Sequence, residues 1–205
     1  VESRELARVT AFTDAAVAIA LTLLVLPLVT VAHEAGDTPL ATLVNQHSGD
    51  LAAMLLSFFA VALFWRAHRR MFERLERVDE MLLVLNVLWL LGVVFLPVPT
   101  AVLTLESTDG FGAALLYLTN LLYISLLGLA LNGWIHLRPE LRRPGVGSAL
   151  WGGLIRSAVS ISMIVIVMVA AARVGSIVVL LLLAVPLLHL MVHRLDRSES
   201  EPVDQ

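Results

Sequence analysis

RVTAFTDAAVAIALTLLVLPL, residues 8–28, sets an arginine and an aspartate at the mouth of an apolar run. After Asp14 no charged side chain occurs until Glu34. A bilayer core of about 30 Å needs roughly twenty apolar residues as a helix, so this run is long enough to span it. It closes in Leu-Pro-Leu-Val-Thr-Val rather than in the small residues of a cleavage site, and is expected to persist as a span rather than be removed as a signal peptide.

The rest of the chain has the same character. Of its 205 residues, 59% are hydrophobic and 15% charged, and the mean hydropathy is +0.88, outside the range of a soluble domain of this length. Six stretches are predicted to span, at about 9–31, 51–68, 81–104, 111–135, 149–171 and 174–193. The runs are continuously apolar rather than alternating, which excludes a barrel and leaves helices to satisfy the backbone in lipid. The expected fold is therefore all-α, a polytopic membrane protein forming one domain over 1–205, with 195–205 a polar, disordered tail. The chain has no cysteine, so disulfides and thiolate metal sites are excluded. No internal repeat is evident, so a symmetric axial pore would need several copies.

All fourteen basic residues are arginine. Arg4 and Arg8 precede the first run. Arg66, Arg69, Arg70, Arg74 and Arg77 crowd the second connection, Arg138, Arg142 and Arg143 the fourth, and Arg194 and Arg197 follow the last run. Glu34, Asp37, Asp50, Glu106 and Asp109 lie on the opposite side. This asymmetry predicts cytoplasmic termini. The segment RRMFERLERVDEM reads as a helical extension with Glu73 and Arg77 four apart, and 32–50 as a turn-rich connection.

Polar side chains inside spans require partners. On a wheel of about 100° per residue, Leu23, Leu26 and Thr30 fall within about 40° of Ile19, with Thr22 at about 60° and Asp14 at about 140°. From periodicity alone the stripe reads as ordinary helix packing and Thr22 as a hydroxyl bonded back to its own helix. Asn86 lies about one turn inside the third run, and Asp14 and His68 are its candidate partners by depth. No nucleophile elbow, zinc-protease helix, phosphate loop or facing carboxylate pair is present, so neither an enzyme nor a cofactor or metal site is expected. A Thr-Val-Gly-Tyr-Gly filter is also absent.

The first run resembles the first helix of the TMEM175 family of potassium channels, whose signature is Arg-x-x-x-Phe-Ser-Asp. Here it reads Arg8, Phe12, Thr13 and Asp14, with threonine retaining the hydroxyl. The likeness continues with Ser57, Phe58, Trp65 and His68, then with Asn86, Phe95-Leu96-Pro97 and Thr100. Ala15 stands where glycine often follows the aspartate, and Arg69 where many members have a second histidine. The resemblance implies a homotetramer in a prokaryotic cell membrane, six helices per chain, with the first helix of each lining a central pore. Ile19 would form the narrowest constriction, Leu23 and Leu26 further apolar layers, and Thr22 a hydroxyl ring for selectivity. Arg8, Phe12, Thr13 and Asp14 would be structural, tying the helix to Trp65, His68 and Asn86. Potassium is the implied permeant. A proton leak of the same family, or a non-conducting membrane scaffold, are the alternatives, and no nucleic-acid partner is expected.

Overall fold

The computed structural model of the chain describes residues 2–104, 110–144 and 147–174. Its elements there are helices: α1 (Glu2–Leu23), α2 (Leu26–Glu34), α3 (Leu40–Gln46), α4 (Ser48–Phe72), α5 (Glu80–Phe95), α6 (Pro97–Val102), α7 (Gly110–Leu137) and α8 (Gly147–Val174), with a 3-10 turn at Pro139–Leu141. Five stretches are long and apolar enough to cross a membrane: Arg4–Glu34, Ser48–Phe72, Glu80–Val102, Gly110–Leu137 and Gly152–Ala171. They coincide with the first five expected spans. The expected sixth, 174–193, runs on from Val174 outside the described residues, as does the tail 195–205.

Proline breaks the first and third spans. α1 stops at Leu23 and α2 starts at Leu26, because Pro27 has no N–H to donate one turn back and its ring crowds that turn. The chain crosses the break on shorter i→i−3 bonds, Val25 N–H to Thr22 O at 3.2 Å and Leu28 N–H to Val25 O at 3.0 Å. Pro97 imposes the same interruption at Leu96, between α5 and α6. A single wheel through the first span therefore holds only as far as Leu23. Leu26 and Thr30 belong to a separate helix.

Helix α7 packs against α4, α5, α6 and α8, while α1 packs against α4 and α5. Burial from water does not drive such contacts within a bilayer, so close approach of backbones matters more, and small residues mark the places where it occurs. Ala20, Ala53, Ala60, Ala113 and Ala114 are all buried. At Gly92 α5 comes close against α7: a Cβ there would stand 2.7 Å from both Ile124 Cγ1 and Tyr123 Cδ1. Asn120 Nδ2 donates to Gly92 O at 3.0 Å, and Tyr123 Oη to Leu88 O at 3.0 Å, so polar bonds lock the same contact.

At the arginine-rich end the two connections join. The expected helical extension does not form: α4 ends at Phe72, and Leu75 and Arg142 make an antiparallel bridge instead. Glu76 N–H donates to Leu141 O at 2.9 Å, and Arg143 N–H to Arg74 O at 2.9 Å. Leu75 is fully buried beneath this pairing, which supplies the backbone partners a helix would have supplied. Glu73 meets Arg69, one turn back, at 3.1 Å. At the other end, the expected turn-rich connection contains α3 and a turn at Gly36, whose φ of 53° suits glycine.

Candidate functional site

Helix α1 divides into two faces. Thr13, Val17, Ala20 and Leu24, spaced four, three and four apart, are buried against the chain's own core. Ile19, Leu23 and Phe12 point the other way, 59%, 40% and 64% exposed, and Leu26 beyond the break is 58% exposed. Thr22 is also exposed, and its hydroxyl donates to Ile19 O at 2.7 Å. That bond uses the hydroxyl hydrogen and leaves oxygen lone pairs directed away from the helix. The outward face is thus apolar with one row of oxygen at its edge.

Two polar residues of the first span, Thr13 and Asp14, turn inward. Trp65 Nε1 donates to Asp14 Oδ1 at 2.7 Å, joining α4 to α1. Asn86 Nδ2 donates to Thr13 Oγ1 at 3.0 Å, and Asn86 Oδ1 lies 2.7 Å from His68 Nε2. An amide oxygen only accepts, so Nε2 carries the hydrogen in this arrangement. The His68 ring is stacked between Phe72, at 4.2 Å, and Trp89, at 4.3 Å. Asn86 thereby links α1, α4 and α5, and all three side chains of the chain Thr13–Asn86–His68 are buried.

Of the two partners expected for Asn86, the structure provides His68. Asp14 is taken by Trp65, and Thr13 occupies the place expected for Asp14. Arg8 is not brought to the cluster: it is exposed and makes no hydrogen bond or ion pair among the described residues. Phe12 likewise points away from it. Arg69, where a second histidine was expected, lies with its guanidinium 5.6 Å from the Trp65 ring centre and outside the His68–Asn86 pair.

Two polar clusters join residues that the sequence reading did not bring together. Ser57 Oγ lies 2.8 Å from Thr100 Oγ1 and 3.2 Å from Tyr117 Oη, a buried hydroxyl group joining α4, α6 and α7 beside the break at Leu96. Ser57 and Thr100 both carry the family likeness, but nothing in the sequence joined them to Tyr117. Asp79 caps α5 by accepting from Leu82 N at 2.8 Å and also accepts from Trp134 Nε1 at 3.0 Å. An aspartate directly before an apolar helix is a legible cap, but its tryptophan partner, 55 residues away, is not.

Residues 8–97 match the family described as endosomal/lysosomal potassium channel TMEM175. A potassium channel of Streptomyces collinus is 35% identical over 136 residues, covering 65% of each chain. One of Chamaesiphon minutus is 36% identical over 104 residues, covering 50% of this chain and 51% of that one. The matched regions thus span less than two thirds of either relative. An endosomal/lysosomal proton channel TMEM175 of Danio rerio is 26% identical over 131 residues, 25% of its length. The crystal structure of a lysosomal potassium-selective channel TMEM175 homolog from Chamaesiphon minutus shares the fold, with a TM-score of 0.76 at 22% identity, covering 93% of this chain and 98% of that one. The chain, with its signature helix fastened by Thr13, Asp14, Trp65, His68 and Asn86 within the matched region, is thus similar to the TMEM175 family over residues 8–97 and shares the fold of a TMEM175 homolog.

Proposed function

We propose that the chain is a cation channel that passes potassium in modest preference to sodium, as a homotetramer with α1 of each copy facing the axis. The division of α1 carries this reading: Thr13 and Asp14 hold the helix to α5 and α4, which leaves Ile19, Thr22, Leu23 and, past the break, Leu26 directed out of the chain. In this assembly Ile19 forms the narrowest ring. An apolar ring offers an ion no ligands and closes by dewetting. Opening spreads the rings until ions pass partly hydrated, and the smaller dehydration cost of potassium sets the preference. The Thr22 oxygens, whose hydrogens are engaged by Ile19 carbonyls, replace some of the lost water. The arginine-rich end lies in the cytoplasm of a prokaryotic cell, which places both termini there.

The test is the potassium and sodium reversal potential and flux in liposomes for the native chain, Ile19→Asn and Thr22→Ala. Ile19→Asn is expected to raise flux and Thr22→Ala to bring the two permeabilities closer. Unchanged flux in the first and unchanged selectivity in the second would overturn the assignment. Because vertebrate relatives bear the name of proton channels, a pH-gradient assay at symmetrical potassium tests a second reading, in which protons are the main permeant.

A further inference from the structure

The face of α1 that carries Ile19 continues toward the arginine-rich end. Glu5, Arg8 and Phe12 all fall within about 40° of Ile19 on the helix wheel. Glu5 and Arg8 stand three apart on that helix, both exposed, and neither makes a hydrogen bond or ion pair among the described residues. The Phe12 ring, 64% exposed, stands beside them. A groove of about 470 Å³ runs here between α1 and α5, walled by Val9, Phe12, Leu83 and Val87, with Glu5 and Arg8 in its lining.

We propose that this groove is an interface with a second copy of the chain, in which Arg8 of one copy pairs with Glu5 of the next and Phe12 packs on the neighbour's α1–α5 wall. The inference rests on the tetramer proposed above and extends its contact surface from the Ile19 level to the arginine-rich end. Charge selects the occupant. An anionic headgroup would meet Arg8 favourably and Glu5 unfavourably, whereas a rotated copy of the same surface offers each its opposite. Such a head-to-tail contact closes into a ring when the rotation does, which an axis lined by α1 requires. An arginine and a glutamate left unpaired at the edge of an apolar groove also gain more from pairing there than in open water, because the groove lowers the local dielectric.

The experiment measures the tetramer fraction in lipid nanodiscs by native mass spectrometry for the native chain, Glu5→Arg, Arg8→Glu and the combined reversal. Each single variant is expected to lower that fraction several-fold, and the combined reversal to restore it. A native tetramer whose single variants assemble equally well overturns the Arg8–Glu5 contact and leaves the axial pore standing. A tetramer that retains an anionic phospholipid, lost in Arg8→Glu, assigns Arg8 to lipid and overturns the contact as well. A native chain that is monomeric overturns the assembly and this interface together. Helical content by circular dichroism confirms that the surface variants fold.

Discussion

The Trp65 indole donates its hydrogen to Asp14 Oδ1 at 2.7 Å across 51 residues of sequence, so the acidic side chain of the first span fastens α1 to α4. A bond to a charged acceptor at a half-buried site contributes about 1.5 kcal/mol. Trp65→Phe keeps the ring under Arg69 and removes the donor, and Asp14→Ala removes the acceptor. Both are expected to lower stability by about that amount in denaturant titrations of the detergent-solubilised chain. The double variant should lose little more than either single one. Additive losses would show that the two side chains act independently.

Asn86 has both ends of its amide engaged, by Thr13 and His68. Replacing it with leucine leaves the His68 Nε2–H without its acceptor and the Thr13 hydroxyl without its donor. The expected loss is about 1–3 kcal/mol for each buried group so stranded. Thr13→Val removes only the outer link and should cost clearly less. Equal melting temperatures for the two variants would place the weight of the cluster on Thr13 instead.

The small residues of the bundle differ sharply in what surrounds them. Gly92→Ala drives a methyl to 2.7 Å from Ile124 and Tyr123, and is expected to cost about 1–3 kcal/mol by forcing α5 away from α7. Gly128→Ala, with nothing within 4 Å, should change stability by no more than about 0.5 kcal/mol. Thermal unfolding followed by light scattering measures both, and a tolerant Gly92 would mean that the two helices are not in close contact.

Asp79 serves two donors, the Leu82 N–H and the Trp134 indole. Asp79→Ala loses a helix cap, about 1 kcal/mol, together with the tie to α7. Trp134→Phe loses the tie alone. Hydrogen exchange at the start of α5 is expected to rise in the first variant and stay close to native in the second.

Much of this arrangement was legible in the sequence for a physical reason: a run of apolar residues in lipid can only be a helix, and a polar residue within it must find a partner. The five spans and the pairing of His68 with Asn86 follow from those two constraints. Depth alone did not distinguish Thr13 from Asp14 as the second partner of Asn86, because they are adjacent and differ by about 100° around the helix. Pro27 was visible, yet the wheel was drawn through it, which misplaced Leu26 on the same helix as Ile19. The Leu75–Arg142 bridge was not legible, since it joins residues of two distant connections through backbone groups that every residue carries. The hydroxyl cluster of Ser57, Thr100 and Tyr117 depends on three helices meeting at one height, which no single segment records.

The break at Leu24–Val25 gives the two pieces of the first span different owners. α1 is held from within by Thr13, Asp14 and the buried stripe behind Ile19, whereas α2 has no buried residue of its own. The first piece is fixed by side chains buried within this chain, whereas the second packs on α4 without burying a residue and so leaves most of its surface for other contacts.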